Sequence, residues 1–100
     1  MIELKKVTDC ILNTVEEFNK QASEDQQLER SVDTPLFGRE SKLDSLGLVN
    51  FIVAAEQQIL ETFEESVSLA DEKALSQKNS PFKTVSSLAQ YAYELLKESE

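Results

Sequence analysis

KLDSLGLVN, residues Lys42 to Asn50, is the stretch that decides the fold of this chain, because it opens its most apolar helix. Asp44 is a favoured N-cap residue, so we expect Ser45 at the first helical position. Apolar residues then recur at spacings of three and four, which predicts a helix with one buried face. The predicted core stripe is Leu48, Phe51, Ile52, Ala55, Ile59 and Phe63.

The same helix carries more apolar residues than one buried face requires. A second stripe lies on a different face and consists of Leu46, Val49, Val53 and Leu60. No Lys or Arg occurs from Asp44 to Glu72, whereas seven acidic residues do. This pattern predicts an apolar docking patch in an acidic surround, suited to basic partner proteins. The alternative is that the long preceding loop buries the second stripe.

The remaining periodicities predict three further helices and no strand. The first helix covers residues 2–19, with Leu4, Val7, Ile11, Val15 and Phe18 on its apolar face. Residues 20–43 are expected to form a long ordered loop anchored by Leu28, Val32, Leu36 and Phe37. Ser68, with Asp71 three residues on, would cap a short third helix over 69–77. Thr84 would cap a fourth helix with Val85, Leu88, Ala92 and Leu95 on its apolar face.

The predicted fold is therefore all-α: one domain over residues 1–100, a small four-helix bundle of three longer helices and one short helix. A long loop joins its first and second helices. We expect a monomer.

Composition excludes several functions. The net charge of −9 disfavours nucleic acid and anionic membranes as partners. Histidine is absent and Cys10 is the only cysteine, so neither a Ser-His-Asp site nor a zinc site is expected. We predict no catalytic residue, no metal ligand, and a buried, unreactive Cys10. One cysteine, no signal-peptide pattern and no long apolar run predict a cytoplasmic protein.

Ser45 has a position suited to covalent modification. Backbone N–H groups and the helix dipole at a helix N-terminus stabilise a phosphate. Because the chain offers no general base, an external enzyme would have to modify the hydroxyl. Gly47 costs the helix up to about 1 kcal/mol relative to alanine. One explanation is that a modifying enzyme or a bulky prosthetic group approaches the first turn closely there.

LFGRESKLDSLGLVNFIVAAEQQI, residues 36–59, resembles the signature region of acyl carrier proteins, in which Asp-Ser-Leu opens the second helix. The last segment, FKTVSSLAQYAYELL, is similar to that family's last helix, and the resemblance covers essentially the whole chain. It implies that Ser45 carries phosphopantetheine. It also implies that Asp44, Leu46, Val49, Val53 and Glu56 serve partner recognition.

The resemblance implies a non-catalytic carrier that holds an acyl or aminoacyl cargo as a thioester. Its partners would be a phosphopantetheinyl transferase and enzymes that load and receive the cargo. Asn50, Gln57 and Gly47 replace residues that are often acidic in fatty-acid-synthesis carriers, and Lys42 lies near a place where glycine is frequent. These departures favour a specialised pathway of lipid, polyketide, aminoacyl or cell-surface acyl transfer. The alternative function is an unmodified helical adaptor that binds protein partners without a prosthetic group.

Overall fold

The structure is a computed structural model that describes residues 2–36, 41–69 and 82–98, with the backbone alone described for Ser45. Three α-helices form within these residues: α1 (Leu4–Gln21), α2 (Ser45–Phe63) and α3 (Val85–Glu98). A 3-10 turn, Glu24–Gln26, follows α1. The described ranges contain no β-strand, only an isolated bridge between Pro35 and Thr84. The predicted all-α class is confirmed for this part of the chain.

The predicted short third helix lies outside the described residues from residue 70 onward. Ser68 and Leu69, which end the second described range, are not helical. The four-helix count of the predicted bundle is therefore neither confirmed nor contradicted.

Helix α1 packs against both α2 and α3 and brings the apolar faces of the three helices into one core. The buried residues of α1 are Val7, Cys10, Ile11, Thr14 and Val15. Leu4 was expected on this face but is 40% exposed, at the first residue of the helix. Phe18 is partly buried and meets Phe51 of α2 edge to face, with ring centroids 5.6 Å apart. That geometry is favourable for two aromatic rings.

The loop between α1 and α2 is ordered by hydrogen bonds along the part that is described. The Asn19 amide accepts from the Leu28 N–H at 2.8 Å and donates to the Leu28 carbonyl at 2.7 Å. Backbone bonds then join the loop to the start of α3, from Leu36 N–H to the Lys83 carbonyl (2.9 Å) and from Val85 N–H to the Thr34 carbonyl (3.0 Å). These bonds explain how a polar segment without helical periodicity keeps a defined course.

Two of the four predicted loop anchors are confirmed. Leu28 and Leu36 are buried in the core. Val32 is not an anchor: its side chain is 39% exposed, and it holds the loop through its backbone carbonyl, which accepts from Ser86 N–H at 2.9 Å. Phe37 lies outside the described residues.

Helix α3 begins with a reciprocal cap. The Thr84 hydroxyl accepts from the Ser87 N–H at 3.1 Å, and the Ser87 hydroxyl accepts from the Thr84 N–H at 2.9 Å. Val85, Leu88 and Ala92 are buried, as their spacing predicts. Leu96 completes the buried stripe where Leu95 was expected. It follows Ala92 by four residues, so it stays on the same face, whereas Leu95 is only partly buried.

Candidate functional site

The first turn of α2 begins at Asp44 and Ser45, as predicted. Asp44 has an extended backbone, and its Oδ1 atom accepts a hydrogen bond from the Gly47 N–H at 2.7 Å. Its carbonyl accepts from the Leu48 N–H at 2.9 Å, which is the first bond of the helix. Asp44 therefore satisfies a donor that the helix end would otherwise leave without a partner. Ser45 is the first residue of the helix.

The second carboxylate oxygen of Asp44 also has a partner within the chain. Gln26, the last residue of the 3-10 turn, donates from Nε2 to Asp44 Oδ2 at 3.3 Å. The two residues are 18 positions apart, so this bond ties the long loop to the start of α2. The structure gives Asp44 an intramolecular role beside the partner-binding role that the resemblance implies. Sequence reasoning did not single out Gln26, because it lies in a polar stretch with no periodic signal.

Gly47 is buried beneath the chain's own side chains. A Cβ atom added there would lie 3.0 Å from Gln26 Oε1, 3.1 Å from Asp44 Oδ1 and 3.4 Å from Leu43 Cδ2. The expectation that the glycine leaves space for an approaching enzyme or prosthetic group is therefore corrected. The absent Cβ makes room for the Gln26 amide and the capping carboxylate.

The second apolar stripe of α2 is exposed. Leu46 is 69% exposed, Val49 54%, Val53 55% and Leu60 48%. The alternative that the loop buries these side chains is wrong. Leu46 directly follows Ser45, and Val49 and Val53 continue along the same face. We call Leu46, Val49 and Val53 the apolar patch.

The predicted acidic surround is only partly in place: Asp44 is exposed two residues before Leu46, whereas the other exposed acids lie at the C-terminal end of α2 or just after it. Glu61, Glu64 and Glu65 are exposed. Glu56 is half-buried, and its Oε2 atom accepts from the Leu69 N–H at 2.7 Å. The residue proposed from the resemblance as a docking acid therefore also holds the chain segment that follows α2.

A groove of about 610 Å³ lies between the end of α1 and one side of α2. Its lining residues are Glu17, Phe18, Gln21, Ala22, Ser23, Gln26, Asn50, Val53, Ala54, Gln57 and Gln58. Five of these eleven residues carry neutral amides and only Glu17 is charged. Glu17 is also paired with Lys20 at 3.1 Å. Such a lining suits neutral hydrogen-bonding groups better than an alkyl chain, which would leave the amides without partners.

Cys10 is only 3% exposed, which confirms the prediction of a buried residue. Burial raises the pKa of its thiol, and the Thr62 hydroxyl, 3.8 Å from Sγ, offsets part of that rise. A thiol in this environment stays protonated and is a poor nucleophile.

Among the described residues, no group of three or more His, Cys, Asp or Glu is placed to hold a metal ion. None of the described helices combines the length and the apolar composition needed to cross a bilayer.

Comparison with protein-family models, with curated proteins and with solved structures gave no match.

Proposed function

We propose that this chain is a discrete carrier protein modified at Ser45 by a phosphopantetheinyl transferase. In that reaction the Ser45 hydroxyl oxygen forms a bond to the β-phosphorus of coenzyme A. The phosphoanhydride bond breaks, 3′,5′-ADP leaves, and the hydroxyl proton passes to a base of the transferase. The attached group supplies a terminal thiol that holds an acyl or aminoacyl cargo as a thioester.

One observation carries the proposal: Ser45 opens α2 directly after its capping aspartate and directly before an exposed apolar patch. A phosphodiester at the first helical position would lie at the positive end of the helix dipole. An enzyme that binds at Ser45 would also contact the exposed side chains of Leu46 and Val49. Attachment point and docking surface thus share the first turns of one helix.

Electrostatics supports protein partners of opposite charge. The chain carries −9 overall, and no cation occurs from Asp44 to Glu72. Exposed acids at the end of α2 lie on the same helix as the apolar patch or just after it. An apolar contact on an acidic helix favours a partner that carries Lys and Arg beside its own apolar contact. A transferase or a cargo-transferring enzyme with such a surface would be steered towards α2.

The cargo pathway is proposed as a specialised one. Asn50 and Gln57 are neutral amides on α2 where many fatty-acid-synthesis carriers have acids, and both line the groove beside α1. Enzymes that recognise acids at those positions would bind this chain less well. A dedicated partner set for acyl or aminoacyl transfer is consistent with this surface.

The test is intact-mass analysis of the purified chain after incubation with coenzyme A, Mg²⁺ and a broad-specificity phosphopantetheinyl transferase. The wild-type chain should gain the mass of one phosphopantetheine group, and Ser45→Ala should gain none while keeping its helical circular dichroism. Ser86→Ala, which removes an exposed serine of α3, is the matched control and should be modified as the wild type is.

Two results would contradict the proposal. Modification that persists in Ser45→Ala would move the attachment to another residue. A wild-type chain that stays unmodified with several transferases, yet still binds partner proteins through α2, would establish the unmodified helical adaptor instead. The exposed apolar patch alone would suffice for that function.

A further inference from the structure

We infer that Gln26 is a positioning residue for the modification of Ser45: it holds the capping carboxylate of α2 from the long loop, and Gly47 provides the space it needs. The inference rests on the proposed function. Gln26, Asp44 and Gly47 together are called the loop latch.

Two hydrogen bonds and the space left by the absent Cβ of Gly47 define the loop latch. Gln26 Nε2 donates to Asp44 Oδ2 at 3.3 Å, and Asp44 Oδ1 accepts from the Gly47 N–H at 2.7 Å. The other end of the Gln26 amide, Oε1, lies where it would be only 3.0 Å from a Cβ atom on residue 47. The amide therefore occupies space that a Cβ atom on residue 47 would crowd, and on its other side it is bonded to the cap. Glycine is the residue that allows both contacts without displacement.

The backbone that carries Gln26 is itself fixed. Its N–H donates to the Ser23 carbonyl at 2.9 Å, closing the 3-10 turn. The Ser23 hydroxyl donates to Asp25 Oδ1 at 2.6 Å, and the Gln27 amide donates to the Asn19 and Ala22 carbonyls at 2.7 and 2.9 Å. Because the turn is tied to the end of α1, the latch holds the first turn of α2 relative to α1.

Ser45 lies between Asp44 and Gly47 in the chain. The course of its backbone is set by Asp44, which caps the helix, and by the first helical turn that this cap stabilises. A transferase must bring the hydroxyl into line with a phosphorus atom, and misplacement of a reacting group by about 1 Å can cost 100-fold in rate. A cap restrained through both carboxylate oxygens presents Ser45 in fewer orientations than a cap restrained through one.

The loop latch requires a neutral amide at position 26. Gln26→Glu has nearly the same shape, but it replaces the donating Nε2 by an oxygen and places a carboxylate against Asp44. Like charges at this distance repel, so Gln26→Glu should disturb the cap more than Gln26→Ala. Gly47→Ala should displace the Gln26 amide and produce the same defect from the other side.

The experiment compares the wild type with Gln26→Ala, Gln26→Glu, Gly47→Ala and the double variant Gln26→Ala/Gly47→Ala. Gln21→Ala is the matched control, an exposed glutamine that lines the same groove and makes neither latch contact. Two quantities are measured: kcat and KM for modification by a broad-specificity transferase with coenzyme A, and hydrogen exchange of the Gly47 amide by NMR. Thermal unfolding identifies any variant that does not fold.

We expect Gln26→Ala to lower kcat/KM about fivefold, the factor that one ordinary hydrogen bond contributes to an equilibrium. The loss should fall on kcat more than on KM, because the apolar patch is intact. Hydrogen exchange of the Gly47 amide should become faster in the same variant. Gln26→Glu should lower kcat/KM further than Gln26→Ala does, and should accelerate the exchange more. The double variant should show the same kcat/KM and exchange rate as Gly47→Ala alone, because both substitutions break the same contact between Gln26 and Asp44. Gln21→Ala should behave as the wild type does.

Unchanged kinetics and unchanged Gly47 exchange in folded Gln26→Ala and Gln26→Glu would overturn the inference while leaving the proposed function standing. Additive losses in the double variant would also overturn it, because the residues would then act separately. If the wild type itself accepts no phosphopantetheine, the proposed function fails first. The Gly47 exchange rates then still decide whether Gln26 restrains the cap.

Discussion

Glu56 of α2 holds the segment that follows this helix against the helix itself. Its Oε2 atom accepts from the Leu69 N–H at 2.7 Å across 13 residues, and Leu69 is fully buried. A buried N–H group without an acceptor destabilises the folded state, so this carboxylate contributes to folding through its oxygen. Its charge, in contrast, adds to the negative charge of α2. Because a carboxamide keeps an acceptor oxygen but carries no charge, the two contributions are separable.

We predict that Glu56→Ala lowers the free energy of unfolding by about 1–2 kcal/mol, because the Leu69 N–H loses its acceptor. Glu56→Gln should lose less than half as much. The measurement is urea unfolding followed by circular dichroism. Glu61→Ala, at an exposed acid of the same helix, is the control and should stay within about 0.5 kcal/mol of the wild type. Equal losses in the Gln and Ala variants would mean that charge, not the acceptor oxygen, stabilises this segment.

Helix α2 as an element ends on a strained residue. Its C-cap, Glu64, has φ 58° and ψ 28°, and it is the only non-glycine residue with positive φ in the described ranges. Its N–H donates to the Leu60 carbonyl at 2.9 Å. The left-handed conformation costs an ordinary residue roughly 1–2 kcal/mol, and glycine avoids that cost.

Glu64→Gly should therefore raise the free energy of unfolding by about 1 kcal/mol, which corresponds to about 4–8 °C in melting temperature for a domain of this size. Thermal unfolding by circular dichroism measures the change. Glu65→Gly is the matched control: it removes the same charge one residue later, where φ is not positive. That control should gain nothing, since glycine only adds entropy to the unfolded chain there. Similar gains in both variants would assign the effect to charge removal.

The apolar patch is the other property that belongs to α2 as an element. Leu46, Val49 and Val53 are more than half exposed, whereas the opposite face of the helix supplies Phe51, Ala55 and Ile59 to the core. One helix thus packs against the core on one side and exposes apolar side chains on the other.

Val53→Glu should abolish or strongly slow modification by a transferase that docks on the apolar patch, because a charge in the centre of an interface is costly to desolvate. Folding should change by no more than about 0.5 kcal/mol, since the site is exposed. The paired measurements are thermal unfolding and the rate of phosphopantetheine transfer. Val32→Glu, an exposed valine of the loop, is the control and should be modified normally. Normal transfer to Val53→Glu would place the docking surface elsewhere.

Charge acts on the molecule as a whole. Nineteen acidic residues face ten basic residues. The two ion pairs in the described ranges, Lys20–Glu17 and Arg30–Glu16, are exposed and span 3.1 and 3.3 Å. Exposed pairs contribute little, so they do not offset the repulsion among the remaining acids. The folded state, being more compact than the unfolded chain, suffers more from that repulsion.

Raising sodium chloride from low concentration to about 0.1 M should increase the melting temperature, because the Debye length then falls to about 10 Å. Potassium chloride at equal ionic strength is the control for specific ion effects and should give the same increase. A melting temperature that stays constant or falls would show that self-repulsion does not limit the stability of this chain.

Much of this architecture is determined by local sequence. Apolar residues at spacings of three and four predict the buried faces of α1, α2 and α3, and Asp44 and Thr84 predict where two helices begin. The sequence also predicts a second apolar stripe on α2, but it left open whether the loop buries that stripe, and the structure shows Leu46, Val49 and Val53 exposed. These properties depend on residues within a few turns of one another, so helix geometry alone relates them.

The tertiary structure decided which long-range contacts particular residues make. A glycine fits at position 47 because the Gln26 side chain, bonded to Asp44 from 18 positions earlier in the chain, occupies the space that a Cβ atom would crowd. Glu56 accepts a hydrogen bond from the N–H of Leu69, 13 positions later. Leu36 is buried and Val32 exposed because backbone bonds to the start of α3 set the course of the loop. Polar side chains in a non-periodic loop have many possible partners of equal chemistry. Only the folding of the chain, which brings one of those partners within hydrogen-bonding distance, selects among them.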